Sequence, residues 1–198
     1  TGDIAIKALD RLLAQDDPFF LTASFHSPHP PMVPAWKHLD YYWEHRESLF
    51  VSPNIHDTLE NSDFEHIANL LPKYTDETKV KEWTALYYAL IEEIDEYVGT
   101  LLDRLGDARD NTLVVFTSDH GEMLGAHGKR EKNNFYEESA KVPLFISFPG
   151  KIKPDTNVDE LVSHIDIFAT ILDYVGASDA DQSDGKSLRP FIEKTTYN

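Results

Sequence analysis

The feature that most restricts this chain is an abrupt change of periodicity near its middle. From Lys81 to Leu105 apolar side chains recur every third or fourth residue, through Trp83, Tyr87, Leu90, Ile94, Tyr97, Leu101 and Leu105. That spacing predicts one long amphipathic helix, and Gly106 is placed to end it. Six residues on, Thr112-Leu113-Val114-Val115-Phe116-Thr117 is unbroken and rich in β-branched residues, the pattern of a strand covered on both faces. A second such run covers residues 142–148 and stops at Pro149-Gly150. Ser163 is then placed to cap a helix from His164 to Val175, with Ile165, Phe168, Ile171, Leu172 and Val175 as its buried side and Gly176 after it. Nearer the start, residues 4–13 read as an amphipathic helix with Ile6, Leu9, Leu12 and Leu13 together, and residues 19–25 as a short buried strand. Alternating helices and buried strands predict an α/β fold, a mainly parallel sheet with helices on both faces.

The exception is the stretch from Met32 to about Val80. Its prolines at 34, 53 and 72 and its aromatics Trp36, Tyr41, Tyr42 and Trp43 show no clean period. A long irregular excursion of this kind is expected to form part of a substrate-pocket wall.

Composition narrows the function. A net charge of −17 makes the chain a poor nucleic-acid binder, because phosphate binding needs Lys and Arg to displace counterions. It also means that an anionic substrate would be held by local cations and a metal rather than drawn in by the whole molecule. With no cysteine, disulfides and thiolate-held zinc are excluded. No apolar run approaches the roughly 20 residues of a membrane span, and no basic segment leads into an apolar one as in a secretory signal.

Three polar clusters follow buried strands, where ligands sit in open α/β sheets. Ser118-Asp119-His120-Gly121 comes directly after the run ending at Thr117. Asp119 offers a hard oxygen suited to Ca²⁺ or Mg²⁺, whereas His120 suits zinc better, so ligand chemistry alone leaves the metal open. Taken by itself, the same pair also fits an Asx turn beside a solvated imidazole. His26-Ser27-Pro28-His29-Pro30-Pro31 places an imidazole between prolines, which restrict the backbone and would aim the ring in one direction. Such a ring can hydrogen-bond an ester oxygen or protonate a leaving group. Residues 125–134 form a glycine-bearing loop with His127, Lys129, Arg130 and Lys132, which could surround an anion or simply be a solvated charged loop. Together they are the parts needed to hydrolyse an anionic ester.

The run Phe116-Thr117-Ser118-Asp119-His120-Gly121-Glu122-Met123-Leu124-Gly125-Ala126-His127-Gly128, followed by Phe135-Tyr136-Glu137-Glu138-Ser139-Ala140-Lys141-Val142-Pro143-Leu144, resembles the sulfatase family of alkaline-phosphatase-like hydrolases. Residues 19–31 resemble that family's strand and His-x-Pro-His-x-Pro loop. By this resemblance the fold is part of an alkaline-phosphatase-like sandwich. Asp119 and His120 match metal ligands, one divalent ion that is usually calcium, with Mg²⁺ or another divalent ion as alternatives. His29 matches the active-site histidine near the leaving oxygen, with His26 the second choice. Lys132 matches the sulfate-contacting lysine, with Lys129 as runner-up, and His127 is a further substrate-binding candidate.

The resemblance further implies a small-molecule or carbohydrate sulfate ester as substrate and a secreted, periplasmic or lysosomal setting. Family members carry an early strand ending in paired aspartates and a Cys- or Ser-x-Pro-x-Arg whose first residue becomes formylglycine, the nucleophile. These residues include neither, so the chain (1–198) is expected to be the middle portion of a catalytic domain, inactive alone, with formylglycine in a preceding segment. Hydrolysis of a phosphonate monoester or phosphodiester, or a non-catalytic module, are the alternatives.

Overall fold

The structure is a computed structural model and describes residues 1–57, 73–177 and 183–193. The chain divides into two compact units, one of Thr1–Gly106 with Thr117–Pro143, the other of Asp107–Phe116 with Leu144–Asn198.

The first unit is built on helices α1 (Gly2–Leu13), α2 (Trp36–Glu44) and α3 (Glu77–Leu105), with a short α4 (Glu137–Ala140). Helix α3 has 29 residues, about 43 Å of rise. It starts earlier than its apolar stripe predicts, because the Asp76 carboxylate accepts the Lys79 N–H (3.2 Å) and caps it. Its deepest face is Val80, Thr84, Ala85, Ala89 and Leu90, with Leu105, while Trp83, Tyr87, Ile94, Tyr97 and Leu101 are only half-buried. Small side chains let neighbouring segments come closest, so most of this face is small or aliphatic while the aromatic rings stay half-buried. Helix α1 follows the same logic. Gly2, Ala5 and Leu9 are buried, Ile6, Leu12 and Leu13 are half-buried, and a Cβ at Gly2 would fall 2.1 Å from the Tyr97 ring.

The stretch after Met32 is not irregular throughout. Helix α2 arises there, followed by a 3-10 turn at Arg46–Ser48, and residues 58–72 of the excursion lie outside those described. Aromatic and charged residues at nearly every α2 position hide the period in the sequence. What stabilises it is tertiary: His38 is buried with the Glu92 and Glu96 carboxylates of α3 at 3.6 and 3.0 Å, and Tyr42 packs edge-on to Tyr88. The shorter approach, from Nε2, is off the line of a hydrogen bond.

The second unit holds β1 (Val114–Thr117, its last residue belonging to the first unit), β2 (Leu144–Ser147), α5 (His164–Val175) and α6 (Arg189–Glu193). The two strands pair in a two-stranded sheet. Both lie inside the predicted runs, but they are not covered on both faces: Phe116 and Phe145 are exposed. Residues 19–25 form no strand. They alternate between half-buried and exposed, as an extended segment with one covered face does, and Phe20 is 76% exposed. Helix α5 has the predicted bounds. Asp166 Oδ2 accepts the Ser163 N–H (2.8 Å), and Gly176 closes the helix at φ +71°. Its covered side differs from the prediction, however: Ala169 and Thr170 are buried while Ile165, Phe168 and Val175 are exposed. The covering segment is tied to the polar face, through Lys186 N–H to Asp166 Oδ1 (2.8 Å), Ser187 Oγ to Asp173 Oδ2 (2.6 Å) and Leu188 N–H to Thr170 Oγ1 (2.8 Å).

Candidate functional site

All the site residues predicted from the sequence lie in the first unit. Strand β1 runs directly into Ser118-Asp119-His120-Gly121, and Thr117 Oγ1 donates to Pro143 O (2.9 Å) at the strand end. Ser118 Oγ donates to His120 O (2.8 Å) and the His120 N–H to Asp119 Oδ1 (3.0 Å), which folds the turn around the carboxylate. What burial there is raises the Asp119 pKa, but His120 and the backbone N–H groups outweigh it, and the carboxyl is held below its usual range. The side chain is 83% exposed, so an ionised oxygen faces outward. His120 donates from Nδ1 to Gly121 O (2.8 Å), so in the neutral ring the lone pair is on Nε2, 3.5 Å from Asp119 Oδ2.

Gly121 does not sit at positive φ, so backbone freedom is not why glycine stands here. It is required by crowding. Its N–H donates to Ser139 O (2.8 Å), and a Cβ there would lie 2.0 Å from the Glu138 carbonyl oxygen.

In the loop that follows, Gly125 and Gly128 adopt positive φ (+90° and +60°) over Val80, Ile55 and Thr75. The four candidates there have different surroundings. Arg130 lies over Trp83 (4.0 Å to the ring centroid) and Tyr74 (5.3 Å), a cation–π clamp rather than a free anion fork. His127 stacks on Tyr136 (centroids 3.9 Å apart), its Nε2 accepts from Asn54 Nδ2 (3.0 Å), and its N–H donates to Asn54 Oδ1 (3.2 Å). Lys129 and Lys132 are half-buried, and among the described residues neither ammonium has a hydrogen-bond or ion-pair partner. His29 is exposed, donates from Nδ1 to Pro30 O (2.7 Å) and lies 4.7 Å, centroid to centroid, from the exposed His26. That bond leaves Nε2 without a hydrogen-bond partner among the described residues.

The structure thus joins Asp119 to His120, and His26 to His29. No hydrogen bond or ion pair joins His29 to Asp119, His120 or Lys132 among the described residues. A cavity of about 260 Å³ opens nearby, lined by Phe50, Tyr88, Met123, Glu122 and Glu138 among others, but two carboxylates and no cation make it unsuited to an anion. As a metal centre, an outward carboxylate beside a bare imidazole nitrogen fits two ligands of a divalent ion. No third His or acidic group joins them among the described residues, and such an ion needs more donors.

Two residues were given no role by the sequence. Asn54 sits in the excursion without any motif to mark it. Glu122 stands inside the matched motif, where an acid in a loop of cations was the only signal. Its Oε1 accepts the Leu124 N–H (3.3 Å) and the Glu131 N–H (2.6 Å). Tyr87 on α3 is pushed up to about 12 by burial first, then by the charges of Glu122 and Asp119 and by Tyr88.

The sulfatase family model matches residues 2–177. An arylsulfatase from Clostridium perfringens is 33% identical, over 98% of this chain and 42% of that protein. A choline-sulfatase from Rhizobium meliloti is 37% identical, over 88% of this chain and 35% of that protein. The solved phosphonate monoester hydrolase of Silicibacter pomeroyi is 28% identical at a TM-score of 0.80, over 97% of this chain and 42% of the other. The chain therefore spans about two fifths of the length of the relatives it matches. Helices with a small sheet, an Asp-His turn leaving a strand and a match running through nearly the whole chain agree: this α/β chain belongs to the sulfatase family, on the alkaline-phosphatase-like fold.

Proposed function

We propose that the full-length protein hydrolyses a sulfate ester of a small molecule or a carbohydrate, and that this chain supplies part of its metal site, its leaving-group acid and its anion-binding lysine. The observation that carries this reading is the Asp119–His120 turn, an outward ionised carboxylate beside an imidazole nitrogen that is free to bind. Those two side chains would hold a divalent ion, in our reading calcium, which when bound neutralises charge on ester oxygens. The family's nucleophile, the hydrate of formylglycine, would come from a Cys- or Ser-x-Pro-x-Arg motif that is not among these 198 residues.

The remaining roles fall to groups present here. The Lys132 ammonium, with Lys129 as second choice, pairs with the equatorial oxygens as their charge grows. His29, its Nδ1 held by Pro30, carries at Nε2 the proton that the departing alkoxide takes. His127 can donate only from Nδ1, because Asn54 occupies Nε2. The region around residues 32–80 would shape the pocket for the ester's organic part.

The test is the full-length protein with calcium, assayed for sulfate release from an aryl sulfate and for turnover of the matching phosphonate monoester. Faster sulfate release supports the reading. Its absence, with phosphonate turnover intact, supports the second reading, which the likeness to a phosphonate monoester hydrolase favours.

A further inference from the structure

The thirteen-residue step from Asp119 to Lys132 raises a physical question: what holds the ammonium in a fixed place relative to the metal turn? The loop is tied across its own base. Met123 N–H donates to Glu131 O (3.0 Å), Gly125 N–H to Lys129 O (2.8 Å), and Glu122 Oε1 collects the N–H groups of Leu124 and Glu131. The stronger of those two bonds, at 2.6 Å, falls on the residue immediately before Lys132. The backbone there needs a restraint, since Glu131 and Asn133, on either side of the lysine, sit at φ +66° and +64°, a region L side chains disfavour. On the far side the Asn134 amide donates to Lys132 O (3.1 Å). Beneath, Met123 is almost fully buried, so the near end of the tie is fixed in the core.

We propose that Glu122 is a positioning residue for Lys132: its carboxylate locks the stretch bearing the ammonium to the end of the Asp119–His120 turn and touches neither substrate nor metal. Charge-assisted bonds to backbone N–H groups suit this role, because they hold the main chain and leave the lysine side chain free. The inference rests on the reading that Lys132 meets the ester anion.

The experiment uses the metal-loaded full-length enzyme with Glu122→Ala, Glu122→Gln, Lys132→Ala and the Glu122→Ala/Lys132→Ala double variant. Glu122→Ala is expected to lower kcat/KM about 10- to 100-fold with metal content unchanged, and to speed hydrogen exchange at the Glu131 amide by a similar factor. Glu122→Gln keeps an acceptor oxygen and should lose no more than about threefold. The double variant should be no worse than Lys132→Ala alone, since one residue acts through the other. Additive losses, metal lost from Glu122→Ala, or unchanged exchange at residue 131 would each overturn the proposal. Should Glu122→Ala fail to fold, a folded Glu122→Gln with a large loss of kcat/KM overturns it, and one within about threefold with residue 131 still protected supports it. A wild-type enzyme inert on every ester would refute the proposed function instead, and the exchange measurement would still judge the tie.

Discussion

Gly121 and Lys132 show two ways in which a single position can matter. At Gly121 the constraint is steric: the Glu138 carbonyl oxygen occupies the space a Cβ would take, and being backbone it cannot swing aside. Gly121→Ala should therefore destabilise by about 3 kcal/mol, measured by urea unfolding, and a change below roughly 1 kcal/mol would show that the Glu138 segment yields. At Lys132 the constraint is electrostatic. An ammonium with no partner among the described residues is available to an anion. On the proposed function, Lys132→Ala in the full-length protein should lower kcat/KM on an aryl sulfate by about 100-fold, and Lys129→Ala by much less. The reverse order would move the role to Lys129. Both residues were singled out from the sequence, but the reasons differ in clarity: the crowding at 121 depends on a segment 17 residues away, which no local pattern announces.

Among the elements, α5 matches its prediction best, because its signals are local. Ser163 and Asp166 begin it, and Gly176 ends it in the left-handed region. The side it covers is another matter, since hydrogen bonds from residues 186–188 select the Asp166–Thr170–Asp173 face. Asp166 serves twice, accepting from Ser163 N–H at the helix start and from Lys186 N–H in that segment. Asp166→Ala should cost about 2 kcal/mol in thermal or urea unfolding, whereas Asp166→Asn, which keeps one acceptor, should cost less. Equal costs would show that only the charge matters. Helix α2 is the opposite case. Its sequence carries no clean stripe, and its position is fixed by His38 between two α3 carboxylates and by ring contacts.

At the scale of the whole molecule, alkaline titration reports packing in both units. Tyr87, and Tyr174 through burial first and then Glu193, are each pushed up to about 12. A tyrosine whose folded value lies above the unfolded one, about 10, holds its proton more tightly when folded. Its contribution is fully present below pH 10 and is lost as pH rises towards 12. These two tyrosines should thus leave stability unchanged up to about pH 10 and lower it above, with Tyr87 and Tyr174 among the last tyrosines to ionise in tyrosinate absorbance. Tyr87→Phe should remove the late step assigned to the first unit, and an unchanged titration would contradict the assignment.

The sequence by itself determined the long helix α3, the bounds of α5, the places of both strands and the family to which residues 116–144 belong, because helical period, end caps, β-branched runs and motif spacing are all written within a few residues of one another. Tertiary structure alone decided which face of each helix is covered, that residues 19–25 form no strand among the described residues, that Arg130 is spent on Trp83 and Tyr74, and that Asn54 and Glu122 hold the loop beside the candidate site. Burial, strand pairing and cation–π contact each need a partner distant in the chain, and a partner's position is not encoded in the local pattern of the residue it meets.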